Sequence, residues 1–226
     1  MSSKLPKDFI PVILAIALLT LAFPATGHSA TIITGQPQII LDPGHDSRNA
    51  GMISPAGLEE HRVTRELAVL IAAELEETAQ VSFTRTADDS LTLSERTTLA
   101  NQIGANLFVA LHTHALVPGE SYVFFRATPG TTTGISPETK AGAKQLAELT
   151  AARLRTGTGM KPQVRTAPVA GLEGLLMPGI LVEPFSLNQV PEQPGKRSEF
   201  LAPFARAIAA AVTAYFEPPT DPGSAE

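Results

Sequence analysis

The chain has 226 residues, 43% of them apolar, and a formal net charge of −5 at pH 7. That is enough length for one sizeable core, and the charge and the lack of a basic stripe argue against nucleic acid as a partner. There is no cysteine and no tryptophan, which excludes disulfide staples, thiolate metal sites, a cysteine nucleophile and a lipidated N-terminal cysteine.

Residues 1–30 carry Lys4 and Lys7, an apolar run from Phe9 to Phe23, and then small residues, the order expected of a secretory signal. The run is shorter than the roughly 20 residues that cross a bilayer. The expectation is therefore export with no stable membrane span after cleavage, an uncleaved anchor being the alternative. Cutting after Ala30 puts His28 where a small residue is preferred, whereas cutting after Gly27 puts Ala25 there. Residues 31–37 read as a short linker, 38–217 as the folded domain and 218–226 as a disordered tail.

Within the domain, short apolar runs alternate with amphipathic segments. Strands are expected over 38–42, 81–85, 107–112, 121–127 and 179–183. Helices are expected over 63–79, over 90–105 with Thr92 or Ser94 as cap, over about 138–155 and over 198–216. A Gly/Thr/Pro-rich loop spans roughly 128–137, and "TGTGMKP" breaks the third helix. This alternation, with no internal repeat, implies an α/β domain with a largely parallel sheet.

Three strand-like runs lead into chemistry-bearing side chains: "IILDPGH" into His45, "LFVALH" into His112 and "GILVE" into Glu183. Ligands of open α/β sheets bind beyond the carboxyl ends of strands, so parallel strands would bring the three together. Glu59 and Glu60 precede the first helix, where either could simply favour the helix dipole. Two histidines and a carboxylate form a ligand set of catalytic zinc sites that leaves a position for water, with Glu183 free to act as a general base. Taken singly, His45 is a turn residue and His112 a satisfied strand-end histidine. Glu183, however, is costly at the end of a buried strand unless paired or functional. Asp42 reads as orienting the turn or a metal-bound histidine, and His61 as a solvated helix residue.

Taken together, "ILDPGH", a glutamate fifteen residues after His45, "TRTADDSLTLSERTTLAN", "LFVALHTHA" and "ILVEPFSLN" resemble, in order and spacing, the zinc-dependent N-acetylmuramoyl-L-alanine amidases of the cell-wall hydrolase type, over about residues 38–216. The resemblance implies a single α/β domain with a mixed sheet between helices. It places the metal ligands for Zn²⁺ on His45, Glu60 (rather than Glu59) and His112, and the catalytic glutamate on Glu183. It implies hydrolysis of the amide between the lactyl group of N-acetylmuramic acid and L-alanine, with peptidoglycan or muropeptides as partners and a periplasmic or cell-wall location. Arg85, Arg96 and Asn101 also match family positions, where structural hydrogen bonding is the plainer reading.

The departures are local. Asp46 and Ser47 replace two glycines, Asn49 an aspartate and Ser54 a glycine; His114 stands where asparagine or aspartate is common, and Pro184 where a small polar residue is usual. His114 is read as lining the groove or packing behind it. Such proteins can be silenced by an inserted helix and released by a protein activator. The stretch 115–179 leaves little length for one, so either a constitutively open groove or control by expression and localisation is expected, on a monomer and with no activator identified. Two alternatives accompany this reading: a zinc peptidase cutting another stem-peptide bond, and a catalytically weak, zinc-retaining wall-binding protein.

Overall fold

The central strands are apolar on both faces because both faces are covered. Ile39, Ile40 and Leu41 of β1 (Gln38–Pro43) and Leu107, Phe108, Val109 and Leu111 of β3 (Leu107–Leu111) are fully buried. The computed structural model describes residues 35–218, apart from residue 88, residues 116–117 and residues 127–134. The expected signal segment, most of the Gly/Thr/Pro-rich loop and the tail beyond residue 218 lie outside the described residues.

The remaining elements are α1 (Glu60–Leu75), β2 (Gln80–Phe83), α2 (Leu93–Gln102), β4 (Glu120–Phe125), α3 (Pro137–Thr158), β5 (Lys161–Thr166), β6 (Gly179–Glu183) and α4 (Pro194–Phe216), with short 3₁₀ turns at Ala170–Leu172 and Leu187–Gln189. The six strands form one mixed, mostly parallel sheet in the order β2-β1-β3-β6-β4-β5. β1 runs parallel to β2 and β3, and β3 parallel to β6; β4 is antiparallel to β6 and parallel to β5.

Strand alternation sends Ile39, Leu41, Val109, Leu111, Val123, Ile180 and Val182 into the larger core with α1, α3 and α4. Ile40, Phe108 and Ala110 face the other way, against Ala100 of α2 and against Leu172, Leu175 and Met177. The sheet is thus sandwiched between helices, as the α/β reading requires. α4 has the length and composition of a membrane-crossing helix, but it buries Leu201, Phe204, Ile208 and Val212 within the larger core.

Several boundaries differ from the sequence reading, among them those of α2, which is shorter at both ends than the expected 90–105. α1 starts at Glu60 rather than Val63 and stops at Leu75. α3 passes through Gly157 and ends at Gly159, whose φ of +70° is open to glycine without strain and whose N–H bonds to Arg155 O. α4 begins four residues early, with Pro194 in its first turn, where a missing N–H costs nothing. β5 was not anticipated: "KPQVRT" is largely exposed and contains a proline, as befits an edge strand. Thr92, not Ser94, caps α2, in a reciprocal box with Glu95.

Candidate active site

The turn after β1 carries the one backbone strain of this kind: His45 is the sole non-glycine residue with positive φ among the described residues, at +61°. Such a conformation persists only when its surroundings impose it. Here the carbonyls on either side are gripped. Arg96 donates to Asp42 Oδ1 (2.8 Å), Pro43 O (2.9 Å) and His45 O (2.9 Å). Arg85 donates to Pro43 O (2.9 Å), Gly44 O (3.1 Å) and His61 O (2.9 Å). Thr64 of α1 also donates to Gly44 O (3.0 Å), and Gly44 N–H reaches Leu111 O (2.8 Å). Asp42 therefore orients the turn through Arg96 and also accepts from the Thr84 hydroxyl.

Asp46 occupies the first of the two replaced glycine positions and folds back on its own loop. Its Oδ1 accepts from the N–H groups of Arg48 and Asn49 (both 2.9 Å), and its Oδ2 from Ser90 Oγ (2.8 Å). Burial raises its pKa, but these bonds and the nearby Arg96 outweigh that and hold the carboxyl below its ordinary value. The polar "DSRN" turn is thus an internally bonded loop.

α1 presents Glu60 in its first turn, and the carboxylate meets both histidines. His112 Nδ1 lies 3.2 Å from Oε1 and His45 Nε2 lies 3.3 Å from Oε2. The N–H groups of Met52 and Thr113 donate to the same two oxygens, each at 2.9 Å. Burial opposes ionisation of Glu60, yet the hydrogen bonds from His112, His45, Met52 and Thr113 hold it far below the usual carboxylate range. Glu59 turns elsewhere, to His61 (3.0 Å) and Arg62 (2.6 Å). The His61 side chain is only 13% exposed, so it is not the solvated residue expected of the helix surface.

Two glycines make room for the histidine rings. A Cβ on Gly44 would stand 2.5–2.7 Å from the His112 ring, and one on Gly51 would stand 2.5 Å from His45 and 2.7 Å from Glu60 Oε2. One ligand atom from each of His45, Glu60 and His112 lies within 4.8 Å of the other two. Two imidazoles and a buried, ionised carboxylate fit a divalent cation such as zinc. The histidine side chains remain 25% and 22% exposed, so the cluster opens to solvent on one side.

Glu183 ends β6, the strand beside β3, where His112 N–H bonds Val182 O at 2.9 Å. Its carboxyl is pushed up by burial, pulled back by His112 and raised again by the Glu60 charge. The three parallel strands therefore do bring His45, His112 and Glu183 to one edge. His114 is 6% exposed, which places it behind the edge rather than along it. Its ring packs edge-on against Tyr122 at 5.4 Å, and burial lowers its pKa. Asn101 ties α2 to the segment before β6 through Gly174 O (2.8 Å) and Leu176 N (3.0 Å). Thr64, Gly51 and the donors of Met52 and Thr113 escaped the sequence reading, since backbone donors and small residues leave no periodic signal.

Residues 39–214 match the family model Amidase_3, described as N-acetylmuramoyl-L-alanine amidase. The amidase CwlM of Bacillus licheniformis is 33% identical over 81 residues, covering 34% of this chain and 32% of that protein. AmiC of Neisseria meningitidis is 36% identical over 81 residues, covering 35% of this chain and 20% of that protein. The matched stretch thus spans about a third or less of these curated relatives. Among solved structures, the amidase AmiC2 of Nostoc punctiforme superposes with a TM-score of 0.64 at 25% identity, over 80% of this chain and 97% of that one. The catalytic domain of CwlV from Bacillus (Paenibacillus) polymyxa var. colistinus does so with a TM-score of 0.64 at 19% identity, over 80% and 98%, a likeness of fold.

Proposed function

Since the chain belongs to the Amidase_3 family of N-acetylmuramoyl-L-alanine amidases, we propose that it hydrolyses the amide joining the lactyl group of N-acetylmuramic acid to L-alanine in peptidoglycan, in a zinc-dependent manner. The observation that carries this reading is the meeting of His45, Glu60 and His112 within 4.8 Å, with Glu183 on the neighbouring strand end. Residues 38–217 are assigned as the catalytic domain. The signal-like residues 1–30 support export, and hence work on the wall outside the cytoplasm.

His45 Nε2, His112 Nδ1 and the Glu60 carboxylate would hold the cation. When bound, zinc lowers the pKa of water and polarises a carbonyl oxygen. The chain's own residues do the rest. With the two ring nitrogens acting as ligands rather than donors, the N–H groups of Met52 and Thr113 still hold the Glu60 carboxylate in place between the imidazoles. Glu183 accepts the proton of the attacking water and delivers it to the leaving L-alanine nitrogen, as a base does best when its pKa is drawn toward the operating pH. Burial supplies that upward pull. Asp42, Arg85 and Arg96 fix the turn and so the His45 ring.

The test is metal analysis combined with digestion of purified muropeptides, wild type against Glu183→Ala. The expected result is one equivalent of zinc in both proteins, and intact stem peptide freed from muramic acid by the wild type only. Cleavage at another stem-peptide bond would replace this reading with a peptidase. Zinc and wall binding without release of peptide would replace it with a wall-binding protein.

A further inference from the structure

The catalytic edge continues past Glu183 onto a part of the sheet that no mechanism above employs. In register, Glu183 of β6 stands beside Tyr122 of β4, and Tyr122 beside Gln163 of β5. Residues in register share a face of the sheet, so these three side chains form a row leading outward from the proposed base. Arg165, exposed on β5 beside Phe124, reaches back into the row. Its guanidinium lies 5.8 Å from the centre of the Tyr122 ring, and it donates to Gln163 Oε1.

Both partners of Arg165 are neutral, and no carboxylate pairs with it among the described residues. The acid nearest in the pairing, Glu120, is engaged otherwise: its Oε2 accepts from the Tyr122 hydroxyl at 2.5 Å, and it stands opposite Lys161. The Tyr122 phenol is held above its ordinary value first by that bond, and Arg165 and Glu183 then push it in opposite directions. Both charges are thus in electrostatic reach of one ring. In a chain of net charge −5, an exposed cation stacked on an aromatic ring beside the reacting edge is positioned to meet an anion.

We propose that Arg165, with Gln163 as its second donor group and Tyr122 as its platform, binds a free carboxylate of the stem peptide and makes the enzyme selective for acidic over amidated stems. The proposal rests on the amidase reading. Two strand spacings of about 4.8 Å separate Glu183 from Gln163, roughly 10 Å. An extended peptide advances about 3.3–3.6 Å per residue, so the residue two beyond the scissile nitrogen, with its side chain, spans that gap. Charges on an edge strand also discourage strand pairing between molecules. That role is served by either sign of charge, whereas the present one needs a cation.

The test uses one muropeptide with free stem carboxylates and the same compound with them amidated, together with Arg165→Gln and Arg165→Glu. Arg165→Glu keeps a charge on the edge strand while reversing its sign. The wild type should cleave the acidic form with a KM roughly three- to tenfold lower than the amidated form. Arg165→Gln should erase that difference by raising KM for the acidic form, with kcat within about twofold, and Arg165→Glu should raise it further. Equal KM values in the wild type, or an unchanged KM in Arg165→Gln, overturns the proposal. Calorimetric binding of the released peptide, free acid against amide, reads the subsite without turnover. Tighter binding of the acid that Arg165→Gln abolishes would keep the subsite even if no muramoyl–alanine bond were cut, an outcome that removes the amidase reading alone. Equal binding of the two forms overturns the subsite itself.

Discussion

The two halves of the proposed site are built to different standards. On the histidine side, three elements, β1, α1 and β3, meet in a lattice of buried bonds: the Pro43, Gly44 and His45 carbonyls are all gripped by side-chain donors, and two glycines clear the space behind the rings. On the base side, the Glu183 carboxylate accepts no hydrogen bond among the described residues, and the row toward β5 passes over the buried Tyr122 to the exposed Arg165. Ligands must be held to a fraction of an ångström, so over-determination serves them. A carboxylate that takes a proton from one partner and gives it to another gains from being left unbonded.

The contrast can be broken from either side. Glu183→Gln should reduce kcat by about 10²–10⁴-fold while zinc content and Tm stay at wild-type levels; a parallel loss of zinc would show that the two halves are not separable. Arg96→Ala should act in the opposite sense, through the frame. It breaks a pair whose side chains are only 4% and 3% exposed, a loss of about 3–5 kcal/mol that lowers Tm by about 6–20 °C. Arg96→Lys, which keeps charge but not the fork, should fall between. A Tm for Arg96→Ala within a degree of wild type would mean that the grip on the turn is not energetic.

Smaller changes sharpen the comparison. Gly51→Ala meets both a φ of +69° and the His45 ring at 2.5 Å, and should weaken zinc binding by about 10–100-fold in a competitive chelator titration. Gly57→Ala provides the control, since Gly57 also has positive φ, +84°, but faces open space and should keep full metal affinity. The smallest effect concerns Asp46. Its folded pKa lies below the ordinary aspartate value, so its stabilisation is fully present above about pH 5 and fades as pH falls through the folded value. Asp46→Asn should therefore lower Tm by roughly 1–3 °C at pH 7, with the gap closing as pH falls through the folded value. A constant offset in thermal melts across that range would count against the loop bonds as the source.

Much of this arrangement is legible in the chain itself. Apolar runs ending in His45, His112 and Glu183 announce parallel strands with a shared edge, because only a strand buried on both faces reads as continuously apolar and only its end can bear a polar side chain. The spacing from His45 favours Glu60 over Glu59 by resemblance, and the helix cap at Thr92 is visible in "TLSE". Edge strand β5 was not visible, since half-exposed residues and a proline carry no clean period. The course of α3 through Gly157 was hidden too, because its packing on α4, with Ala207 Cβ 3.4 Å from where a Cβ would sit, overrides a weak local propensity. What tertiary structure alone decided is the set of long-range donors: Arg96 on the turn, Thr113 N–H on Glu60, and Arg165 over Tyr122. Local pattern encodes which face of an element is buried, whereas the partner of a polar group is chosen by residues tens of positions away that only packing brings near.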